Sequence, residues 1–277
     1  MNTRLQIALL GIAALCLAAP IQASLVTQVS VGVLQYYNQT STAAPTSATG
    51  YTLLASYTET PGAVTSATLT YPGPGSPLTL PTGGTTPQYI SPTVPTLSAF
   101  QTDYPFGAYL FSLSDGATVL NETVNYTQNL YPTGIPAFTA ASYTAFQGMN
   151  ALSALTVNFN TFTPNGGLPV SGNSQTQFFI FQGSNTIFAS ALLPDTATST
   201  VLPANLLVPG EQYTAALRFN DNFATQDAST GVNLAQGFNE ETYFGFTTAS
   251  APEPSTLLLL GLSAAYLAGL HRWRTAR

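Results

Sequence analysis

An uncharged run near the end of the chain limits what this sequence can fold into. Residues 256–270 contain no charged side chain and are rich in Leu, Gly and Ala. They follow the tripeptide Pro252-Glu253-Pro254, whose prolines favour extended backbone, and they precede a basic end at 271–277. An apolar helix between a rigid polar segment and a basic end is typical of a membrane anchor.

The predicted anchor is short. Fifteen helical residues reach roughly 22 Å, against about 30 Å of hydrocarbon, so its ends must sit at the interfaces. The anchor residues that we predict are Thr256, Leu257, Leu258, Leu259, Leu260, Gly261, Leu262, Leu267 and Leu270. Arg272, Arg274 and Arg277 place the C-terminus in the cytoplasm. The alternative for this run is a buried core helix.

The three-part order resembles the PEP-CTERM sorting tail of bacterial envelope proteins. The resemblance implies that Pro252, Glu253 and Pro254 form a sorting motif which exosortase, a membrane-embedded processing enzyme, recognises. It also implies a protein anchored in the inner membrane and facing the periplasm, then found at the cell surface or outside the cell after processing. The tail at 251–277 therefore predicts where the protein is located, and it predicts no activity.

The N-terminus predicts export. Arg4 precedes the apolar segment 5–19, and Ala23 is a plausible last residue before cleavage, so 1–23 is predicted to be a signal peptide that the export machinery reads. The only cysteine, Cys16, lies inside this segment. The exported part therefore has no thiol and no disulfide.

The charge of the exported part excludes one class of partner. Residues 24–250 contain one basic residue, Arg218, and ten acids, which gives a net charge of −9. A surface of this charge without lysine does not bind nucleic acid by neutralising phosphates. Its polarity comes from Thr, Ser, Asn and Gln instead.

Strand patterns dominate the exported part. Short alternating segments, such as Leu155 to Phe159, recur between Gly, Pro and Asn. We therefore predict an all-β fold of one or two antiparallel β-sandwich domains before the C-terminal transmembrane helix. The predicted domains are 24–142, a β-rich region of uncertain type, and 143–250, a sandwich. The Pro- and Gly-rich stretch 72–95 is predicted to be a loop.

A second resemblance concerns the sandwich at 143–250. Leu207, Pro209 and Tyr213 resemble the tyrosine corner of fibronectin type III domains, in which the Tyr bonds to backbone upstream of it. The resemblance implies a fibronectin III- or immunoglobulin-like sandwich and a structural role for Tyr213. The sequence lacks the core Trp of that family, and Phe159 or Phe162 is predicted to fill its volume.

Most chemistry is excluded by composition. Residues 24–250 contain no His, Lys or Cys, which rules out Ser-His-Asp, Ser-Lys and Cys-His catalysis and His-ligated metals there. We predict a non-enzymatic protein without a cofactor, structural or adhesive, with exopolysaccharide as a candidate partner. A less favoured alternative is glycoside hydrolysis by two carboxylates. The candidates for that pair are Asp103, Asp115, Glu122, Glu240 and Glu241.

Two binding functions stay open at the level of sequence. A carbohydrate-binding module would stack sugars on exposed Tyr and bond them to Asn and Gln on one sheet face. Calcium would need oxygen ligands at short spacing, which Asn220-Asp221-Asn222 and Asp227 offer in a predicted loop. A solvated turn is the favoured interpretation of that segment.

Overall fold

The computed structural model describes residues 25–165 and 174–250. The predicted signal peptide at 1–23 and the predicted tail at 251–277, with its sorting motif, anchor and basic end, lie outside the described residues. Within these two ranges, no helix has the length and apolar character needed to cross a membrane.

The described residues form fourteen strands and two short helices. In chain order they are β1 Val26–Asn38, β2 Ala48–Glu59, β3 Ser66–Thr70, β4 Leu78–Thr79, β5 Gln88–Ile90, α1 Leu97–Asp103, β6 Gly107–Ser114, β7 Val119–Tyr126, α2 Ala140–Phe146, β8 Leu155–Asn158, β9 Ser174–Gln182, β10 Asn185–Ala189, β11 Leu193–Pro194, β12 Ser199–Leu202, β13 Gln212–Gln226 and β14 Asn233–Thr247. Threonines cap both helices: the hydroxyls of Thr96 and Thr139 accept the backbone N–H of Ala99 and Ser142. The predicted all-β class is confirmed.

The strands form three sheets. An eight-stranded sheet has the order β10-β9-β13-β14-β1-β2-β5, with β11 also paired to β9. A four-stranded sheet has the order β4-β3-β6-β7, and β12 pairs with β8. The pairs are antiparallel except for β1 and β14, which run parallel over eleven residue pairs. The structure also places β4 and β5 inside the stretch 72–95 that the sequence predicts as a loop.

The hairpin of β13 and β14 joins two hydrophobic cores. Its fifteen paired positions run without a register shift, so every second side chain points to the same face. One core is formed mainly by the first half of the chain, and Phe223 and Phe238 of the hairpin pack into it. The other core is formed by the second half of the chain and includes Leu217 and Phe219. Both cores therefore lie on one face of the eight-stranded sheet, which we call the inner face.

The opposite face of the same sheet, which we call the outer face, carries the alternate residues of these strands. The four-stranded sheet packs on the inner face through residues such as Tyr126, whose ring lies 6.0 Å from that of Phe238. The pair β8 and β12 and helix α2 cover the inner face of the second half through Val157, Leu202 and Phe146. The hairpin belongs to the predicted domain 143–250 but contributes residues to both cores. The domain boundary at 142/143 stays a prediction.

Candidate functional site

The tyrosine predicted to form a corner lies at the start of β13. Tyr213 is 4% exposed, and its hydroxyl accepts a hydrogen bond of 2.9 Å from the backbone N–H of Val208. Its ring stacks on Phe246 of β14 at 5.8 Å. Leu207 is buried in the same core. This contact ties the turn before β13 to the sheet, and the comparison with the fibronectin corner stays a prediction.

Replacing Tyr213 by Phe tests the contribution of this hydroxyl. We expect a loss of about 1–2 kcal/mol in the free energy of unfolding, because the N–H of Val208 loses its acceptor while the ring packing is kept. Chemical denaturation would measure it. Tyr143→Phe, on α2 beside the same core, is the matched change and should cost less than half as much. Equal effects would contradict a specific role for the Val208 bond.

The loop predicted at Asn220-Asp221-Asn222 is wrong, because these residues lie within β13. The tertiary packing extends the strand through them, and Asp221 points into the inner face with 1% exposure. Its carboxylate accepts the backbone N–H of Asn165 at 2.7 Å and the hydroxyl of Ser174 at 2.8 Å. Burial raises the pKa of Asp221. Asp221 therefore bonds both to Ser174, at the start of β9, and to Asn165, in the connection before that strand.

Asp227, the other proposed calcium ligand, lies in the turn between β13 and β14. Its carboxylate accepts the N–H and the hydroxyl of Ser229 at 2.7 and 2.6 Å, as a turn-forming aspartate does. Among residues 25–165 and 174–250, no group of three or more His, Cys, Asp or Glu is placed to hold a metal ion.

The five candidate hydrolase carboxylates are spread over the molecule. Asp103 and Asp115 are exposed, and Asp115 accepts the N–H groups of Ala117 and Thr118 in a turn, which lower its pKa. Glu122 is a buried residue of β7 in the four-stranded sheet, and burial raises its pKa. Glu240 and Glu241, adjacent in β14, point to the inner and outer faces respectively.

Glu240 is a buried acid at the border of the two cores. It is 4% exposed, and the hydroxyl of Tyr37 donates to its Oε1 at 3.0 Å. Its Oε2 and the hydroxyl of Tyr131 are buried without a hydrogen-bond partner among the described residues. Burial raises the pKa of Glu240 to about 7, partly offset by the Tyr37 bond. No pattern in the sequence distinguished this acid from its neighbour.

Glu241 lies on the outer face and pairs with Arg218 of β13. The guanidinium donates to Glu241 Oε2 through Nε at 2.9 Å and through Nη2 at 2.7 Å. The Glu241 side chain is fully buried, whereas 30% of the Arg218 side chain is exposed. The guanidinium also lies 5.0 Å from the ring centre of Phe179 in β9. The one cation of the exported part thus neutralises a buried acid.

Aromatic rings flank this ion pair. Tyr36 of β1 and Tyr243 of β14 lie 5.9 Å apart, and Phe179 and Phe181 stack at 5.7 Å. All four rings are half-buried on the outer face. Ala216 lies between Phe179 and Tyr243 in the register and is fully buried. The alternation along β9 and β14 could have revealed this face from the sequence, had the strand register been known.

Fold and surface together define an all-β protein whose large sheet leaves one face, with rings and polar groups, outside both cores. Residues 250–274 match the PEP-CTERM protein-sorting motif, so the predicted sorting tail is confirmed. The chain is accordingly an exported protein, anchored in the membrane through its tail until exosortase processes it. Among curated proteins, none matches the sequence.

Solved structures offer similarity at low identity. The FN1-FN3 domains of chicken CNTN1 align with 82% of this chain and 66% of their own, at 10% identity and a TM-score of 0.27. The BSP domain of biofilm associated protein aligns with 83% of this chain and 30% of its own, at 13% identity and a TM-score of 0.22. The chain thus spans less than two thirds of the length of either structure.

Proposed function

We propose that this protein is a non-enzymatic component of the bacterial envelope or extracellular matrix, with a structural or adhesive role. The match of 250–274 to the sorting motif carries the proposal. The export machinery delivers the chain, the tail holds it in the inner membrane with the body facing the periplasm, and exosortase releases it to the cell surface or medium. Its partners are then other components of the matrix.

Composition supports the absence of catalysis. The segment 24–250 lacks His, Lys and Cys, the side chains that most nucleophilic and acid–base sites require. Several of its acids have structural partners instead: Asp221 accepts hydrogen bonds from Asn165 and Ser174, and Glu59 accepts the N–H of Val64 at 2.6 Å. The low charge and the Thr- and Asn-rich surface suit a protein that works outside the cell.

Changing the sorting motif tests the proposal. We expect wild-type chain to be cleaved near the motif and to leave the membrane fraction, and a variant with Pro252, Glu253 and Pro254 all changed to Ala to stay uncleaved in the membrane. Fractionation of chain tagged before the motif, with mass analysis of its C-terminus, measures both results. We expect no cleavage of the variant, because exosortase has to recognise the motif before it can cut the chain.

The control is the wild-type chain in a strain that lacks the processing enzyme. It should remain full-length in the membrane fraction, as the variant does. Recovery of the wild-type chain in the cytosol, or equal release of the variant, would contradict the proposed route.

A further inference from the structure

The outer face of the eight-stranded sheet is long, and most of its residues in β13 are half-buried. Along β13 its residues run from Gln212 to Gln226, a distance of roughly 45 Å at the usual rise of a strand. The elements that bury the two cores pack on the inner face. A sheet face of this length, next to rings and amides, can hold an extended polymer.

A depression lies at one end of this face. It has a volume of about 720 Å³ and lies across the end of the sheet, since its lining includes Gly245 and Thr214 of the outer face as well as Tyr213 and Phe246, whose rings belong to the inner core. Gly245 follows Tyr243 by two residues on the same face and is paired with Thr214, which is itself paired with Phe181. The outer-face ring of Tyr243 therefore lies two residues along β14 from a depression that Gly245, which has no side chain, helps to line.

The polar groups of the face are amides. Asn220 is paired with Asn239 and with Gln175, so three amide side chains lie in one row across three strands. The Oδ1 atom of Asn239 is buried without a hydrogen-bond partner among the described residues. A second, smaller depression of about 300 Å³ lies farther along, lined by residues that include Asn222 and Gln28.

The charge of the face selects the ligand. Its acid Glu241 is neutralised by Arg218, so the centre of the face carries no net charge, while the exported part carries ten acids and one base. An acidic polymer would be repelled, and a basic one would find no free carboxylate at the rings. Neutral sugars match this surface, since rings stack on their apolar faces and amides bond to their hydroxyls.

We infer that the outer face binds a neutral polysaccharide chain, stacked on Tyr36 and Tyr243 and seated in the depression over Gly245. The inference rests on the proposed function and deepens it by naming a class of partner. The adjacent amides of Asn220 and Asn239 bond to the hydroxyls of the next sugars. The Arg218–Glu241 pair links β13 to β14 beneath this part of the outer face.

Binding by the purified full chain tests the inference. The chain is kept in a zwitterionic detergent, because sugar-headed detergents would compete. Soluble dextran, galactomannan and β-glucan are the neutral probes, and alginate is the acidic one. We expect at least one neutral polysaccharide to bind, and the variant Tyr36→Ala/Tyr243→Ala to weaken it by about tenfold or more.

Gly245→Gln is the second variant, and it removes nothing from the protein. A Cβ at Gly245 would meet no atom nearer than the carbonyl oxygen of Tyr213 at 4.0 Å, and its φ lies outside the left-handed region. The new side chain should project into the depression, leave the thermal unfolding curve unchanged and weaken binding about tenfold or more. Phe106→Ala, an exposed ring that packs on Tyr126 away from this face, is the matched control and should bind like wild type.

Three results would overturn the inference: no neutral polysaccharide binds, alginate alone binds, or Gly245→Gln binds as tightly as Phe106→Ala. These measurements are made on isolated protein and are separate from the fractionation of the tail variant. If the protein is processed normally but binds no polysaccharide, only the proposed polysaccharide site is contradicted. If the tail is not processed, the proposed envelope function is contradicted.

Discussion

Arg218→Met is expected to lower the free energy of unfolding by about 3–5 kcal/mol, since it leaves a fully buried carboxylate without its partner. The Glu241 side chain has no exposed surface, and Arg218 donates two hydrogen bonds to its Oε2. No other basic residue exists between 24 and 250 to take over. For a chain of this size the melting temperature should fall by roughly 10 °C, which calorimetry would measure.

The double variant Arg218→Met/Glu241→Leu is the control for this prediction. Replacing a buried ion pair by apolar side chains of similar volume is often neutral or stabilising, so the double variant should recover most of the loss. A single variant as stable as wild type would mean that solvent reaches Glu241. A double variant as unstable as the single one would show that the loss of stability comes from the lost packing of Arg218 on Phe179 instead.

The strand content was predictable because period-two alternation is a local property. In β13 the residues Tyr213, Ala215, Leu217 and Phe219 are all buried, and their alternation is visible in the sequence. The confirmed sorting tail was equally local, since it depends on a tripeptide and an uncharged run.

The joining of the two cores was not predictable in this way. The alternation of β13 continues through Asp221, but an Asn-Asp-Asn segment is typical of a turn, so sequence reasoning ended the strand too early. The parallel pairing of β1 with β14 joins residues about two hundred positions apart, and no local pattern specifies it. The outer face was hidden for the same reason, because it depends on the register of β9, β13, β14 and β1.

The burial of the acidic side chains could not be predicted from the composition either. A chain with ten exported acids and one base suggests a solvated acidic surface, yet Glu59, Glu122, Asp221, Glu240 and Glu241 are all at most 5% exposed. With one cation available, several of them accept hydrogen bonds from backbone N–H groups and hydroxyls instead. Burial then raises the pKa values of Glu122, Asp221 and Glu240, which makes the stability of the fold depend on pH.

Glu240→Gln is expected to stabilise the protein by about 3 kcal/mol at pH 8 and by only about 1 kcal/mol at pH 5. The pKa of Glu240 is about 7 in the folded chain, against 4.5 for an ordinary Glu. Because the folded state binds this proton more tightly, the unfolding free energy of wild type falls as pH rises from about 4.5 to 7 and stays lower above that. Glutamine carries no charge, so the variant loses this part of the decline.

The surroundings of Glu240 make the substitution conservative in shape. Tyr37 from β1, Tyr51 from β2 and Tyr131 from the connection before α2 face this acid, and a glutamine oxygen can accept the Tyr37 hydroxyl in the same way. Urea unfolding at pH 5, 6, 7 and 8 would measure the difference between variant and wild type. Glu211→Gln makes the same charge change at an exposed position and should follow the wild-type curve. A constant difference across the four pH values would show that Glu240 does not change its protonation in this range.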